Sequence, residues 1–197
     1  GAYSCARSTK RAGFAPSLVR VRGLKALTNR QRNRKTKAMI KIGDRIPSVK
    51  IRAVAESGVQ EVDTEDFFKG KRVALFAVPG AFTSTCSAKH LPSFANNADV
   101  FKSKGVNAIA CIAVNDPAVM RAWGDHNHTT GKVTMLADGN GDFARALGVE
   151  ADMSKTGMGK RSRRYSMLVE DGVVKQFNLE EPGSFGASSG DHLLTQM

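Results

Sequence analysis

The sequence predicts an α/β fold in which helices flank a mixed central sheet. Two apolar runs, residues 72–78 (RVALFAV) and 108–114 (AIACIAV), have the length and composition of buried strands. Each run is followed by a helix-start signal, so we expect parallel strands joined by helical crossovers. Two further strand-like segments, 165–169 and 173–179, flank Asp171-Gly172, which predicts an antiparallel hairpin. Parallel strands plus one hairpin make the sheet mixed.

The elements before the second apolar run follow from local signals. Val49–Val54 reads as a short strand, and Thr64–Phe68 as a helical turn with acidic residues at its N-terminus. After the first apolar run, Ser84 or Thr85 can cap a helix. Pro92 lies inside that helix and is expected to kink it, because proline lacks the N–H that an α-helical bond needs.

The later elements are predicted in the same way. Pro117 fits the first turn of a helix, and Val133–Leu136 reads as a short strand. Asp142–Leu147 forms a short helix that Gly148 ends. Residues 188–194 begin with serines suited to an N-cap and form a last short helix. Together, the elements alternate between strands and helices, as an α/β sandwich requires.

The net charge of +12 comes from one end of the chain. Residues 1–43 contain 12 Lys or Arg and no acid, so the rest of the chain carries equal numbers of basic and acidic residues. This composition is typical of an organelle transit peptide, and we interpret residues 1–41 as a basic, disordered, transit-peptide-like segment before one domain at 42–197. A basic arm that binds nucleic acid by charge is the alternative.

The balanced body gives no electrostatic reason to bind nucleic acid or anionic lipid. No apolar run approaches the roughly 20 residues of a membrane span. Three cysteines, Cys5, Cys86 and Cys111, are too few for a secreted disulfide scaffold, and no C-x-x-C pair suggests zinc. We therefore expect no membrane, nucleic-acid or metal partner, and a reducing compartment.

The loop after the first apolar strand carries the most informative cysteine. It delivers Cys86 to a helix N-terminus, where free backbone N–H groups and the helix dipole favour an anion. A thiolate is an anion, so this position favours a nucleophilic sulfur. Thr83 lies three residues earlier and can direct its hydroxyl at the sulfur or at a bound oxygen, while Pro79 stiffens the loop. An inert buried cysteine is the alternative.

These residues carry a family resemblance. The spacing Pro79-x-x-x-Thr83-x-x-Cys86 matches the peroxiredoxin active-site signature, and PGAFTSTCSAKHLPSF resembles the type II, glutaredoxin- or thioredoxin-dependent subfamily. Ser84 departs from the usual proline. The C-terminal segment FNLEEPGSFGASSGDHLL is similar to plant and algal organellar members. The resemblance covers about residues 40–197, with further matching blocks at 109–123, 136–143 and 161–175.

The resemblance implies a thioredoxin-like fold and a thiol peroxidase of antioxidant defence. Cys86 would be the peroxidatic cysteine that reduces hydrogen peroxide and alkyl hydroperoxides, with no cofactor. Thr83 would hydrogen-bond the peroxide and Pro79 would shield the pocket from water. Glutaredoxin with glutathione, or thioredoxin, would return the electrons. Members form dimers, so we expect a homodimer, with the face around Trp123 as one candidate contact.

The resemblance also assigns an arginine to the site. The family's arginine corresponds to Arg164, where a fixed cation would stabilise the thiolate and the displaced oxygen. Arg163 is the alternative, since both lie in one basic run. Strand alternation separates them, because Arg164 shares a face with Ser166 while Arg163 shares the opposite face with Tyr165.

Cys111 corresponds to the resolving cysteine of plant-like members and lies 25 residues after Cys86. The opposing interpretation is a packed core cysteine, since Cys111 stands in an apolar run. A disulfide needs Cα atoms within about 7 Å, so we expect the first helical turn to unwind after oxidation. Without that step, the enzyme would use one cysteine and an external thiol.

Two other function classes stay open from the residues alone. A Cys-dependent hydrolase would need a histidine beside Cys86, and His90 could be an acid–base partner or a packing or capping residue. A non-enzymatic, basic-armed binding protein is the second. The organellar resemblance and the N-terminal segment predict the chloroplast stroma, with the mitochondrial matrix as the alternative.

Overall fold

The computed structural model describes residues 38–55 and 57–197. Most of the predicted transit-peptide-like segment, including Cys5, lies outside these residues, so that interpretation stays a prediction. Ile40 is the first buried side chain among the described residues, and its N–H donates to the Leu147 carbonyl at 2.9 Å. The folded body therefore already includes residues just before position 42.

Seven strands of the described chain form one mixed sheet, as predicted. Its order is β2-β1-β5-β4-β3-β8-β9, and a separate ribbon pairs β6 with β7. The strands β3, β4 and β5 are parallel, while β1 pairs antiparallel with β2 and β5, and β8 pairs antiparallel with β3 and β9. The strands are β1 (Lys50–Ala55), β2 (Gly58–Asp63), β3 (Arg72–Ala77), β4 (Ala108–Ala113), β5 (Thr134–Ala137), β6 (Glu150–Asp152), β7 (Lys160–Ser162), β8 (Tyr165–Glu170) and β9 (Val173–Leu179).

Helices cover both faces of this sheet. They are α1 (Thr64–Phe68), α2 (Leu91–Ala95), α3 (Ala98–Ser103), α4 (Pro117–His126), α5 (Asp142–Leu147) and α6 (Gly190–Thr195). Asp116 caps α4 by accepting hydrogen bonds from two backbone N–H groups, and Ser189 caps α6 in the same way with one. Within the described residues, no helix has both the length and the apolar character needed to cross a membrane.

Two apolar layers sandwich the central strands. Alternate residues of β3 point to opposite layers, so Leu75 packs in the layer with α1 and α5 while Phe76 packs in the layer with α2, α3, α4 and α6. Both side chains are fully buried, which is why the strand reads as a continuous apolar run. Cys86 and Cys111 belong to the second layer.

Four elements were not predicted: β2, α3, β6 and β7. The strand β2 has an exposed, largely polar sequence (GVQEVD), so its burial pattern lacks the alternation that marks a half-buried strand. It forms because residues 58–63 pair along the whole length of β1. The ribbon of β6 and β7 has only three residues in each strand, too few to give a period. The sheet therefore has antiparallel pairs beyond the predicted hairpin.

The predicted helix after β3 has an unexpected start. A π-helical turn covers Cys86–His90, and the N–H of Leu91 donates to the carbonyl of Cys86, five residues back. Thr85 was one of the two residues expected to cap this helix, but its side chain makes no cap hydrogen bond. The N–H of Ser87 donates instead to the carbonyl of Thr83. Pro92 falls in the first turn of α2, where its missing N–H is tolerated.

Candidate active site

The loop between β3 and the π turn sets the position of Cys86. The N–H of Val78 donates to the Ile112 carbonyl, and that of Ala81 donates to Oδ1 of Asn115, so the loop is tied to the end of β4. Phe82 has a left-handed backbone (φ 62°), a conformation that costs a non-glycine residue about 1 kcal/mol. This bend turns the chain into the π turn, where Cys86 is fully buried.

Arg164 contacts the sulfur of Cys86 directly. Its Nη2 donates to Sγ at 3.3 Å. The register of β3 against β8 pairs Ala77 with Tyr165, so the residue before Tyr165 lies beside the loop that leaves β3. The neighbouring Arg163 takes the other direction and donates from Nη2 to the Glu180 carbonyl. The contact is therefore made by Arg164, the arginine that the family resemblance assigned to the site.

His90 lies on the other side of the same guanidinium. Its Nε2 is 3.0 Å from the Ser188 carbonyl, which can only accept, so Nε2 carries the proton. Nδ1 is then free to accept from Nη1 of Arg164 at 2.9 Å. Burial, and secondarily the charge of Arg164, lower the pKa of His90 to about 3, although the bond to Ser188 acts in the opposite direction.

The neutral imidazole therefore orients the arginine and has no free nitrogen for the sulfur. A Cys–His hydrolase needs a histidine that takes the proton of the thiol. In this structure, the acceptor nitrogen of His90 faces Arg164 instead of Cys86. Of the two interpretations left open for His90, the geometry favours an interior, positioning role.

The C-terminal loop after β9 covers this network. The ring of Phe185 lies 5.3 Å from the His90 ring, and the Cζ of Arg164 lies 5.9 Å from the Phe185 centroid. At that distance the guanidinium interacts favourably with the aromatic face. Phe76 and Phe94 pack against His90 from below, at 5.0 and 5.8 Å between ring centres. The hydrogen bonds among the polar groups are thereby enclosed by aromatic rings.

The other two signature residues lie in the same loop. Pro79 directly follows Val78 and is half-buried. Thr83 is also half-buried, and its hydroxyl donates to the Gly80 carbonyl at 3.0 Å. That bond uses the only hydroxyl proton, so toward any other group the oxygen of Thr83 can act only as an acceptor, through its lone pairs.

Cys111 lies in the middle of β4 and is fully buried. It pairs with Phe76 of β3 on one side and with Met135 of β5 on the other. Burial, and secondarily the charge of Cys86, raise the pKa of Cys111 well above its ordinary value, while Arg164 acts against this shift. In this conformation Cys111 is a protonated thiol that solvent does not reach, and both cysteines are free.

Comparisons with known proteins agree with this arrangement. The Redoxin family profile matches residues 41–190. Peroxiredoxin-2E, chloroplastic, of Arabidopsis thaliana is 47% identical over 161 residues, which cover 80% of this chain and 69% of that protein. The chain belongs to the peroxiredoxin family. Peroxiredoxin-2F, mitochondrial, of Oryza sativa subsp. japonica is 39% identical over 134 residues, 68% of each protein.

A solved peroxiredoxin structure supports the same assignment. The reduced Prx3 of Vibrio vulnificus in complex with H2O2 superimposes with a TM-score of 0.77 at 42% identity, covering 80% of this chain and 99% of that one. The predicted thioredoxin-like fold is therefore confirmed. This peroxiredoxin is a thiol peroxidase, an oxidoreductase that acts on peroxides with thiol reductants.

The structure places Trp123, whose surrounding face is the candidate dimer contact, in the core, and a contact by the rest of that face stays a prediction. Trp123 has no exposed surface, and its Nε1 donates to Oγ of Ser87 at 3.0 Å. Trp123 therefore supports the turn that carries Cys86 and cannot itself contact another subunit.

Sequence reasoning missed most of what holds Arg164. Ser188 and Glu180 lie 98 and 16 residues away from His90 and Arg164, the residues they contact. Both stand in the C-terminal segment that resembles organellar members, but nothing in that segment connects them to His90 or Arg164. His90 was noticed because it lies one turn after Cys86, but its partner and its tautomer depend on the C-terminal loop.

Proposed function

We propose that this peroxiredoxin reduces hydrogen peroxide and alkyl hydroperoxides at Cys86 and is recycled by glutathione with glutaredoxin, or by thioredoxin. The observation that carries the assignment of the residue is the 3.3 Å contact from Arg164 Nη2 to the sulfur. A guanidinium at this distance stabilises a thiolate, and a thiolate is the form that attacks peroxides.

The first step oxidises the sulfur. The thiolate of Cys86 attacks one peroxide oxygen, the O–O bond breaks, and an S–O bond forms. The second oxygen leaves with the bonding pair and takes a proton, giving water or an alcohol. Arg164 stabilises the charge on this leaving oxygen, and Thr83 Oγ1 accepts a hydrogen bond from the peroxide O–H. Pro79 limits the access of water to the sulfur.

The second step restores the thiol. A reductant thiol attacks the sulfenic acid, releases water and forms a mixed disulfide, and a second thiol then frees Cys86. Both cysteines are buried, but Cys111 also lies in the middle of β4 with paired strands on both sides, so an external thiol needs less rearrangement of the sheet than Cys111 does. The resolving role of Cys111 stays a prediction that requires the π turn to unwind.

A coupled assay tests the proposal. Peroxide consumption by the full chain is measured with glutathione plus glutaredoxin, with thioredoxin plus its reductase, and with neither. We expect turnover in the glutaredoxin arm or the thioredoxin arm, and its loss in Cys86→Ser. Peroxide turnover that persists in Cys86→Ser would contradict the assignment of the nucleophile, and turnover in neither reductant arm would contradict the proposed electron donors.

For localisation, we propose the chloroplast stroma. The acid-free basic segment at residues 1–43 and the chloroplastic relative at 47% identity support it. Import of the radiolabelled chain into isolated chloroplasts, with isolated mitochondria as the competing organelle, tests the proposal. Protease-protected, shortened protein only in mitochondria would contradict it.

We also propose a homodimer, as the family resemblance implies. Multi-angle light scattering of the reduced protein measures its mass in solution. A mass near twice the 21.2 kDa of one chain is expected. A mass equal to one chain at micromolar concentration would contradict the proposal.

A further inference from the structure

Glu180 anchors the loop that covers the active site. It directly follows β9, its side chain is buried, and Oε1 accepts hydrogen bonds from Gly186 N (2.6 Å), Ser188 N (2.8 Å) and Ser188 Oγ (2.9 Å). Burial alone would raise the pKa of Glu180, but the bonds from Ser188 and Gly186 outweigh it and hold the pKa below its ordinary value. The carboxylate is therefore charged at neutral pH and closes the loop 180–188 on itself.

The same loop is connected to the arginine at both of its ends. At the first end, the N–H of Glu180 donates to the Arg164 carbonyl at 3.0 Å. At the other end, the Ser188 carbonyl accepts a hydrogen bond from His90 Nε2, and His90 Nδ1 accepts one from Arg164 Nη1. A continuous series of hydrogen bonds thus leads from the Glu180 carboxylate to the guanidinium that contacts Cys86.

This series determines which way the guanidinium faces. An arginine side chain has several rotatable bonds, so a single contact to sulfur would not hold it. His90 can accept from Nη1 only while its proton is on Nε2, and the Ser188 carbonyl favours that tautomer by accepting from Nε2. Ser188 is in turn held twice by Glu180, once at its backbone N–H and once at its hydroxyl.

We infer that Glu180 is a positioning residue for the reaction at Cys86, acting through Ser188 and His90 on Arg164. The inference rests on the proposed function of Cys86 and Arg164. Glu180 touches neither the sulfur nor, by its position, the peroxide. Its role is to hold the loop so that the guanidinium keeps Nη2 on the sulfur.

The test measures the reactivity of Cys86 without peroxide, so it does not depend on the peroxidase assignment. Alkylation by iodoacetamide at pH 7 is followed by mass spectrometry on the peptide that contains Cys86, in the full chain. Glu180→Ala removes the oxygen that accepts from Gly186 and Ser188, whereas Glu180→Gln keeps an uncharged amide oxygen in its place. Glu181→Ala is the matched control, because Glu181 is the exposed neighbour of Glu180.

We expect Glu180→Ala to slow alkylation about threefold to tenfold, the effect of losing the one hydrogen bond from Arg164 Nη2 to the sulfur of Cys86. Glu180→Gln should fall between this variant and the wild type, and Glu181→Ala should match the wild type. The kcat/KM for hydrogen peroxide should follow the same order. If only the kcat/KM failed to follow, the proposed function would be in error and not the positioning role.

A double-mutant cycle separates positioning from general stability. His90→Phe keeps an aromatic ring among the phenylalanines but interrupts the series of hydrogen bonds. In that background, Glu180→Ala or Glu180→Gln should slow alkylation no further, because their route to Arg164 is already broken. Should Glu180→Ala fail to fold, the Glu180→Gln cycle decides. Wild-type alkylation in both Glu180 variants, or effects that add to that of His90→Phe, would overturn the inference.

Discussion

Nη1 of Arg164 lies 2.9 Å from Nδ1 of His90, and the arginine is the donor in this pair. A histidine next to a guanidinium is stable only when it is neutral, and burial acts in the same direction. The pair therefore uses histidine as a rigid acceptor. This fixes one edge of the guanidinium and leaves the other edge for the sulfur of Cys86 at 3.3 Å.

Replacing Arg164 by lysine tests whether the fork of the guanidinium matters beyond its charge. A lysine ammonium is a point charge and cannot span His90 and Cys86 as the planar fork does. We expect Arg164→Lys to lower the kcat/KM for hydrogen peroxide about 30-fold, a typical loss for one hydrogen bond to a charged group. Steady-state kinetics with saturating reductant measure it.

Arg163→Lys is the matched control for that variant. Arg163 adjoins Arg164 in sequence but donates to the Glu180 carbonyl instead of to the sulfur. Its kcat/KM should stay within about threefold of the wild type, since only one backbone contact changes. Equal losses in the two variants would show that the basic run acts as a whole and that the contact to sulfur is not decisive.

The low pKa of His90 predicts a stability that is lost on acidification. The folded pKa is about 3 and the ordinary value is 6.5, so between these values the unfolded chain binds a proton that the folded chain does not. The free energy of unfolding therefore falls as the pH falls below 6.5, at a slope approaching about 1.4 kcal/mol per pH unit. Urea unfolding at pH 7 and pH 5 measures this contribution.

His90→Phe is the reference for that measurement, because phenylalanine does not titrate. Between pH 7 and pH 5, the wild type should lose about 2 kcal/mol more unfolding free energy than the variant. Other titrating groups contribute equally to both proteins and cancel in the difference. Parallel pH dependences would mean that His90 becomes protonated in the folded protein.

Gly190 is required by the close approach of α6 to α2. A β carbon at this position would lie 2.3 Å from the carbonyl oxygen and 2.7 Å from the carbonyl carbon of Ser93, and these backbone atoms cannot move aside independently. We expect Gly190→Ala to lower the free energy of unfolding by about 2–4 kcal/mol, as overpacked sites do. Alkylation of Cys86 should also slow, because Ser188 lies two residues before Gly190.

Gly186→Ala is the control from the same loop. An added β carbon there meets no atom within 4 Å, and its backbone bond to Glu180 is retained. Its unfolding free energy should stay within about 0.5 kcal/mol of the wild type. Equal stability of Gly190→Ala and Gly186→Ala would contradict this expectation, because it would mean that α6 can move away from the Ser93 backbone without loss of stability.

Cys111→Ser tests which thiol resolves the sulfenic acid. With glutaredoxin as the donor, we expect turnover within about twofold of the wild type, because the raised pKa keeps Cys111 protonated and unreactive. A more than tenfold loss, together with a Cys86–Cys111 linked peptide after peroxide treatment, would instead establish Cys111 as the resolving cysteine. That route must break the Trp123–Ser87 bond, so fluorescence of the chain's single tryptophan would change with it.

The sequence by itself determined the central strands and the place of Cys86 beside them. The runs at 72–78 and 108–114 became β3 and β4, because strands buried on both faces need continuous apolar residues. The position of Cys86 in the first turn after β3 also followed from local signals and from the matching signature. Strand alternation separated Arg164 from Arg163, since two neighbouring residues in an extended chain point to opposite faces.

Only the tertiary structure decided how Arg164 is held. The bonds between Ser188 and His90, and between Glu180 and its loop, join residues that adjoin only after the sheet and α6 have assembled. The burial of Cys111 between two strands also follows only from the assembled sheet, while its resolving role stays a prediction. Hydrophobic periodicity and turn chemistry act over a few residues, whereas the tautomer of His90 depends on a carbonyl 98 residues away.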